Sequence, residues 1–152
     1  MSVFLPVGAL ISIGGAVLYT VGGLNPQRVR KSSESRVPGH PVQGGMEYQK
    51  TGMGERATTI EARTVPQVMG GLDAYAILEA QHEMQAEVPF IRLHGNYLGI
   101  SGGLVIIRSL DADESEPHPF DGVGRVVDVT MDLLQLPGLG GIAVPDIMSL
   151  LR

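Results

Sequence analysis

Three stretches of the sequence bring together residue types that do chemistry elsewhere. "YQKTGMGERATTIEARTVP", Tyr48 to Pro66, sets Gly52 and Gly54 in the G-x-G spacing of a phosphate loop. "AQHEMQA" places His82 beside Glu83, as the first half of a zinc-binding helix would. "DADESEPHPFDGVG" gathers acids as a calcium loop does. Each chemistry demands a context. A phosphate loop needs a helix directly behind its glycines, because the free N–H groups and dipole of the helix N-terminus bind the anion. Behind Gly54 the chain instead runs Arg56 to Thr64 with three Thr and Ile60, and Pro66 closes it. That composition favours a strand, so the glycines are expected to supply a turn with positive φ at its entry. A zincin helix needs a second His four residues after the first, where this chain has Ala86. A calcium loop needs Gly at its sixth position, where Asp111, Asp113 and Ser115 are followed by Glu116. The acidic stretch therefore reads as a long solvated hairpin loop. There is no G-x-S-x-G and no cysteine, and His40, His82, His94 and His118 lie in unrelated local settings. No catalytic residue, cofactor site or metal site is assigned, and a protein without catalysis is expected.

The elements that surround these stretches set the fold class. At 152 residues, 43% of them hydrophobic, the chain suits one domain with its own core. Without cysteine, neither a disulfide framework nor a thiolate metal site is possible. A net charge of -5 disfavours a phosphate backbone as partner, so no nucleic-acid surface is expected. Glycine is abundant, with 21 residues, many paired, which suits short strands and turns better than a helical bundle.

From Val3 to Leu24 the chain carries no charge. Such a tract is long enough for a membrane helix, which takes roughly 20 apolar residues. Pro6, five glycines and the β-branched residues weaken that helix, and no basic residue precedes it as a signal peptide would require. Two short strands broken at Gly14 and Gly15 are expected, with a membrane-anchored small protein as the alternative. On this reading the tract is an assembly surface, and removing Met1 to Gly14 would leave a soluble domain that no longer assembles. Residues 25–45 are rich in Arg, Lys, Ser, Pro and Gly and read as a loop or extended arm, basic at Arg28, Arg30 and Lys31 as a solvated face.

One main helix is expected from "LDAYAILEAQHEMQAEVP". Asp73 lies in its first turn, Ala74, Ile77, Leu78, Met84 and Val88 fall on one face, and Pro89 stops it. Strands follow at "PFIRLHG", "LVIIRSL" and "RVVDVTMDLLQL". In the last, Val127, Val129, Met131 and Leu133 alternate with Asp128, Thr130 and Asp132, the period of a strand with one buried face. The fold class is α+β, a mostly antiparallel sheet with one main helix packed on it.

The order of these features resembles the GpU family of tail proteins from contractile-tailed phages. The resemblance runs from Gly15 to Pro137, and its most specific residues are Gly52, Gly54, Glu55, Gly70 and Gly71, then Asp121, Gly122 and Arg125 before the closing strand. Family members commonly carry an aromatic residue after the proline, often Trp, where this chain has Phe90, and a closing strand richer in Phe. The resemblance implies a tail-tube-like sandwich or barrel over 1–137 with a short extension at 138–152. It also implies a structural role in the virion tail, assembled in the host cytoplasm. The implied partners are the chain itself, as a homohexameric ring, and other tube and baseplate proteins, with no membrane anchor and no sequence-specific nucleic acid. Tube initiator or hub adaptor at the baseplate is the first role implied, and terminator or completion protein at the head-proximal end the second.

Overall fold

The computed structural model describes residues 9–19, 22–94 and 97–137. The strands are β1 (Ala9–Ile13), β2 (Ala16–Tyr19), β3 (Asn25–Arg36), β4 (Gly39–Val42), β5 (Gly45–Tyr48), β6 (Gly52–Thr64), β7 (Val88–His94), β8 (Tyr97–Pro117) and β9 (Gly124–Gln135). Two helices, α1 (Pro66–Met69) and α2 (Leu72–Glu83), lie between β6 and β7. Seven strands form one antiparallel sheet in the order β2-β1-β7-β8-β9-β6-β3, and β4 and β5 pair separately.

The core follows from the two-residue period of a strand. Ile11 and Ile13, Ala16 and Leu18, Ile60 and Ala62, Val88 and Phe90, Val105 and Ile107, and Val127, Val129, Met131 and Leu133 are all buried. Within each strand these positions are two apart, so one face of the sheet is apolar from β2 to β6, and Leu78 of α2 packs into the same cluster. The opposite face is polar and cross-linked. Thr59 Oγ1 donates to Asp132 Oδ1 at 2.5 Å, and Arg63 Nε to Asp128 Oδ1 at 2.6 Å. That contact raises the Arg63 pKa, through its hydrogen bond to Asp128 and the carboxylate's charge.

The N-terminal tract forms two short strands divided at Gly14 and Gly15, whose φ values of 57° and 95° make the two-residue hairpin turn. A side chain at Gly14 would meet Gln81 Nε2 at 2.5 Å, and Gln81 Nε2 in turn donates to Gly14 C=O at 2.7 Å, which fastens the hairpin to α2. Because β1 pairs with both β2 and β7, it is an inner strand. Ile11, Ile13, Ala16 and Leu18 are core, so the expectation that residues 1–14 could be removed without harm to the domain is corrected. Residues 1–8 of the tract lie outside the described residues. Among the described residues no helix is long and apolar enough to cross a membrane.

Four further expectations are corrected. The loop or arm at residues 25–45 is largely strand: β3 pairs with β6 from Asn25–Arg63 to Arg36–Gly52, and its Ser- and Arg-rich sequence is held by that ladder and not by burial. The acidic hairpin loop shortens to residues 118–123, since Asp111 to Pro117 continue β8 against β9. The main helix ends at Glu83. Val88 belongs to β7, while Ile77 and Met84 are exposed, because pairing of Val88 with Val105 outweighs one more helical turn. Closure into a barrel is not found among the described residues. β2, four residues long, and β3, twelve, stand at opposite ends of the sheet order with no ladder between them, although Tyr19 N–H donates to Leu24 C=O at 3.0 Å just ahead of β3.

Candidate assembly interface

The residues singled out by the sequence do not converge on one site. They sort into a projecting ribbon, a helix junction and a hairpin turn. The ribbon is the outer half of β3 and β6. β9 pairs with β6 only from Ala57 to Thr64, so the segment from Gly52 to Arg56 is held by β3 alone. Gly52 has φ 113°, a backbone that other residues enter only under strain. Gly54 does not have positive φ. It sits at a bulge, where the register slips between Ser33 and Ser35, and a Cβ there would lie 3.2 Å from Glu34 C=O. Glu55 reaches across to an ion pair with Arg108 on β8. Arg36, Met53, Arg56, Leu134 and Pro137 border an open groove of about 700 Å³ at this base.

Beyond the base the ribbon carries on. Thr51 N–H and Oγ1 both donate to Arg36 C=O, at 3.1 and 3.0 Å, and Gln49 N–H donates to Pro38 C=O at 3.0 Å. β4 and β5 then form the tip, joined through Gln43 and Gly44. Every residue from Arg30 to Met53 is exposed. Cross-strand partners share a face. The pairs Gly39–Tyr48 and Pro41–Met46 therefore make one face apolar, while His40–Glu47, 3.8 Å apart, lies on the other. Tyr48 and Met46 cover Gly39, where a Cβ would meet Tyr48 at 2.9 Å, yet they remain 65% and 54% exposed themselves.

Gly70 and Gly71 join α1 to α2, with φ 69° and 98°. Thr64, buried at the end of β6, donates from Oγ1 to Gly70 C=O at 2.5 Å. A Cβ on Gly71 would sit 2.6 Å from Leu24 N, so the backbone before β3 passes where only glycine allows it. His82, the candidate half-ligand, is a packing residue. Its Nδ1 lies 2.9 Å from Ile107 C=O, which can only accept, so that nitrogen carries the proton and ties α2 to β8. Among the described residues no three of His, Asp and Glu gather as a metal site would need.

Asp121, Gly122 and Arg125 mark the β8–β9 turn. Asp121 Oδ1 accepts from Val123 N–H at 3.1 Å, Gly122 has φ 72° and donates its N–H to His118 C=O at 2.9 Å, and Arg125 is exposed as β9 begins. Phe120 stands at the tip, 92% exposed. Register places this turn at the other end of the molecule from the arm, because Thr64 of β6 faces Val127 near the turn and Ala57 faces Leu134 near the arm. Sequence reasoning missed Arg108 as the partner of Glu55 and the apolar tip at Met46 and Tyr48. For the tip the signal existed, in the alternation of "GMEY".

The model of the Phage P2 GpU family matches residues 15–137, a span that takes in the ribbon, the helix junction, the hairpin turn and eight of the nine described strands. The chain belongs to the Phage P2 GpU family. It is thus a structural protein of phage tails. No curated protein sequence matches the chain. Among solved structures, a chain in the tail of an empty GTA particle with C6 symmetry shares its fold, with a TM-score of 0.53 at 17% identity, covering 89% of this chain and 96% of that one. The GpU sheet is therefore an architecture already seen assembled in a tail.

Proposed function

We propose that the protein is a ring-forming structural component of a contractile phage tail, at the junction of tube and baseplate, where it acts as tube initiator or hub adaptor and is needed for tail assembly. It works without catalysis, and residues 1–137 act as one tail domain with 138–152 as an extension. The observation that carries this reading is the arm, exposed at every residue from Arg30 to Met53, on a sheet that ends in β2 and β3. The likeness in fold to a subunit of a C6-symmetric tail supports six copies. Gly52, Gly54 and Glu55 would set the angle of the arm, and Asp121, Gly122 and Arg125 the opposite contact.

The test is to tag the chain and locate the label on intact tails by electron microscopy, with copy number counted from the label. Six copies at the baseplate end are expected. Label at the head-proximal end would replace the reading with that of a terminator or completion protein, and one copy per tail would overturn the ring.

A further inference from the structure

The arm tip poses a physical problem that the isolated chain does not solve. A two-stranded ribbon is marginal in water without something packed on a face. Here Pro41, Met46 and Tyr48 present an apolar face, with Val37, Val42 and Met53 also exposed along the ribbon. The ribbon's charge says what covers it. Between residues 25 and 56 there are six Lys and Arg (Arg28, Arg30, Lys31, Arg36, Lys50, Arg56) against three acids (Glu34, Glu47, Glu55), a net of +3 in a chain whose total is -5. The β8–β9 hairpin, residues 111–125, has the opposite balance: Asp111, Asp113, Glu114, Glu116 and Asp121 against Arg125, a net of -4, with the bare ring of Phe120 at its tip.

We infer that the arm of one copy docks, by its basic flank and its Met46–Tyr48 face, on the acidic β8–β9 hairpin of the next copy. The two surfaces complement each other in charge, and each adds exposed apolar side chains to the contact. They cannot meet within one chain. The stretch of β9 from Val127 to Leu134 alone separates the two ends by roughly 23 Å at about 3.3 Å per residue. The contact therefore joins two different patches on separate copies, and in the ring reading it repeats head to tail around an axis until it closes. The inference rests on the ring reading and adds to it the surfaces that make the ring.

The chain has no cysteine, which gives a clean cross-linking test. Met46→Cys and Phe120→Cys are introduced singly and together, and the tails produced with each variant are oxidised and run under non-reducing conditions. The double variant is expected to give a ladder of covalent multimers up to the ring, while neither single variant links to itself. Tyr48→Cys replaces Met46→Cys, and Glu116→Cys replaces Phe120→Cys, if either of the first pair blocks incorporation. Reversing the arm with Arg36→Glu and Lys50→Glu should lower the yield of linked species about tenfold, and adding Asp111→Lys and Asp113→Lys should restore it. A dimer from Met46→Cys alone would mean arm on arm and overturn the inference, as would tails with the double variant incorporated but unlinked under every pairing. In that last outcome the ring reading survives if six copies are still counted, so the two failures are distinguishable.

Discussion

β6 is one continuous strand in two environments. From Ala57 to Thr64 it lies between β9 and β3, and Ile60, Ala62 and Thr64 alternate into the core. From Gly52 to Arg56 it has β3 as its ladder partner, no residue is buried, and the sequence shows no alternation of apolar and polar. β3 ladders both halves, but only the inner half has a second ladder partner, in β9. The inner half also sends Ile60 and Ala62 into the core cluster that Leu78 of α2 joins, and the outer half sends no residue there. Burial marks the first half, and the second is the surface proposed for assembly.

That division is open to attack, first at its strongest point. Removing residues 1–14 takes β1 from between β2 and β7, together with Ile11 and Ile13, and should leave a chain that is insoluble or melts without a cooperative transition. A soluble, cooperatively melting variant would show that the core ends at β7. Met131→Ala empties a fully buried position at the centre of the sheet and should cost about 2–5 kcal/mol in urea unfolding. Gly71→Ala adds a Cβ 2.6 Å from Leu24 N at φ 98°, and strain of that kind costs about 1–3 kcal/mol by the same measurement. At the other extreme, replacing residues 37–51 by Asn-Gly closes β3 on β6 at the Arg36–Gly52 pair. This should shift unfolding by no more than about 0.5 kcal/mol, because nothing buried is lost, while incorporation into tails fails. Normal incorporation of that shortened chain would place assembly elsewhere on the molecule.

What could be read in advance follows the same boundary. β9 was legible because Val127, Val129, Met131 and Leu133 alternate with Asp128, Thr130 and Asp132, and the first hairpin because paired glycines interrupt an apolar run. β3 and the outer half of β8 were not, since a strand exposed on both faces has no period to detect, and Ser, Arg, Asp and Glu read as loop. Val88 was assigned to the helix because it falls at helical spacing after Met84, yet the turn at Gln85, with φ 50°, has already ended the helix. The eight residues on which the resemblance rests form a series along the chain. Their separation into an arm base, a helix junction and a distal turn was not legible there.

The sequence by itself determined the α+β class, the buried alternation of the closing strand, the turn at Gly14 and Gly15, and the order of motifs that belongs to the GpU family. These are local properties, set within a few residues by side-chain period and backbone freedom. Only the tertiary structure decided that β1 is an inner strand, that Glu55 meets Arg108, and that the basic arm and the acidic hairpin stand at opposite ends of the sheet. Those depend on register between strands far apart in the chain. A register shifted by one residue would invert every buried position, so it is fixed by the whole apolar face packing at once and not by any one segment.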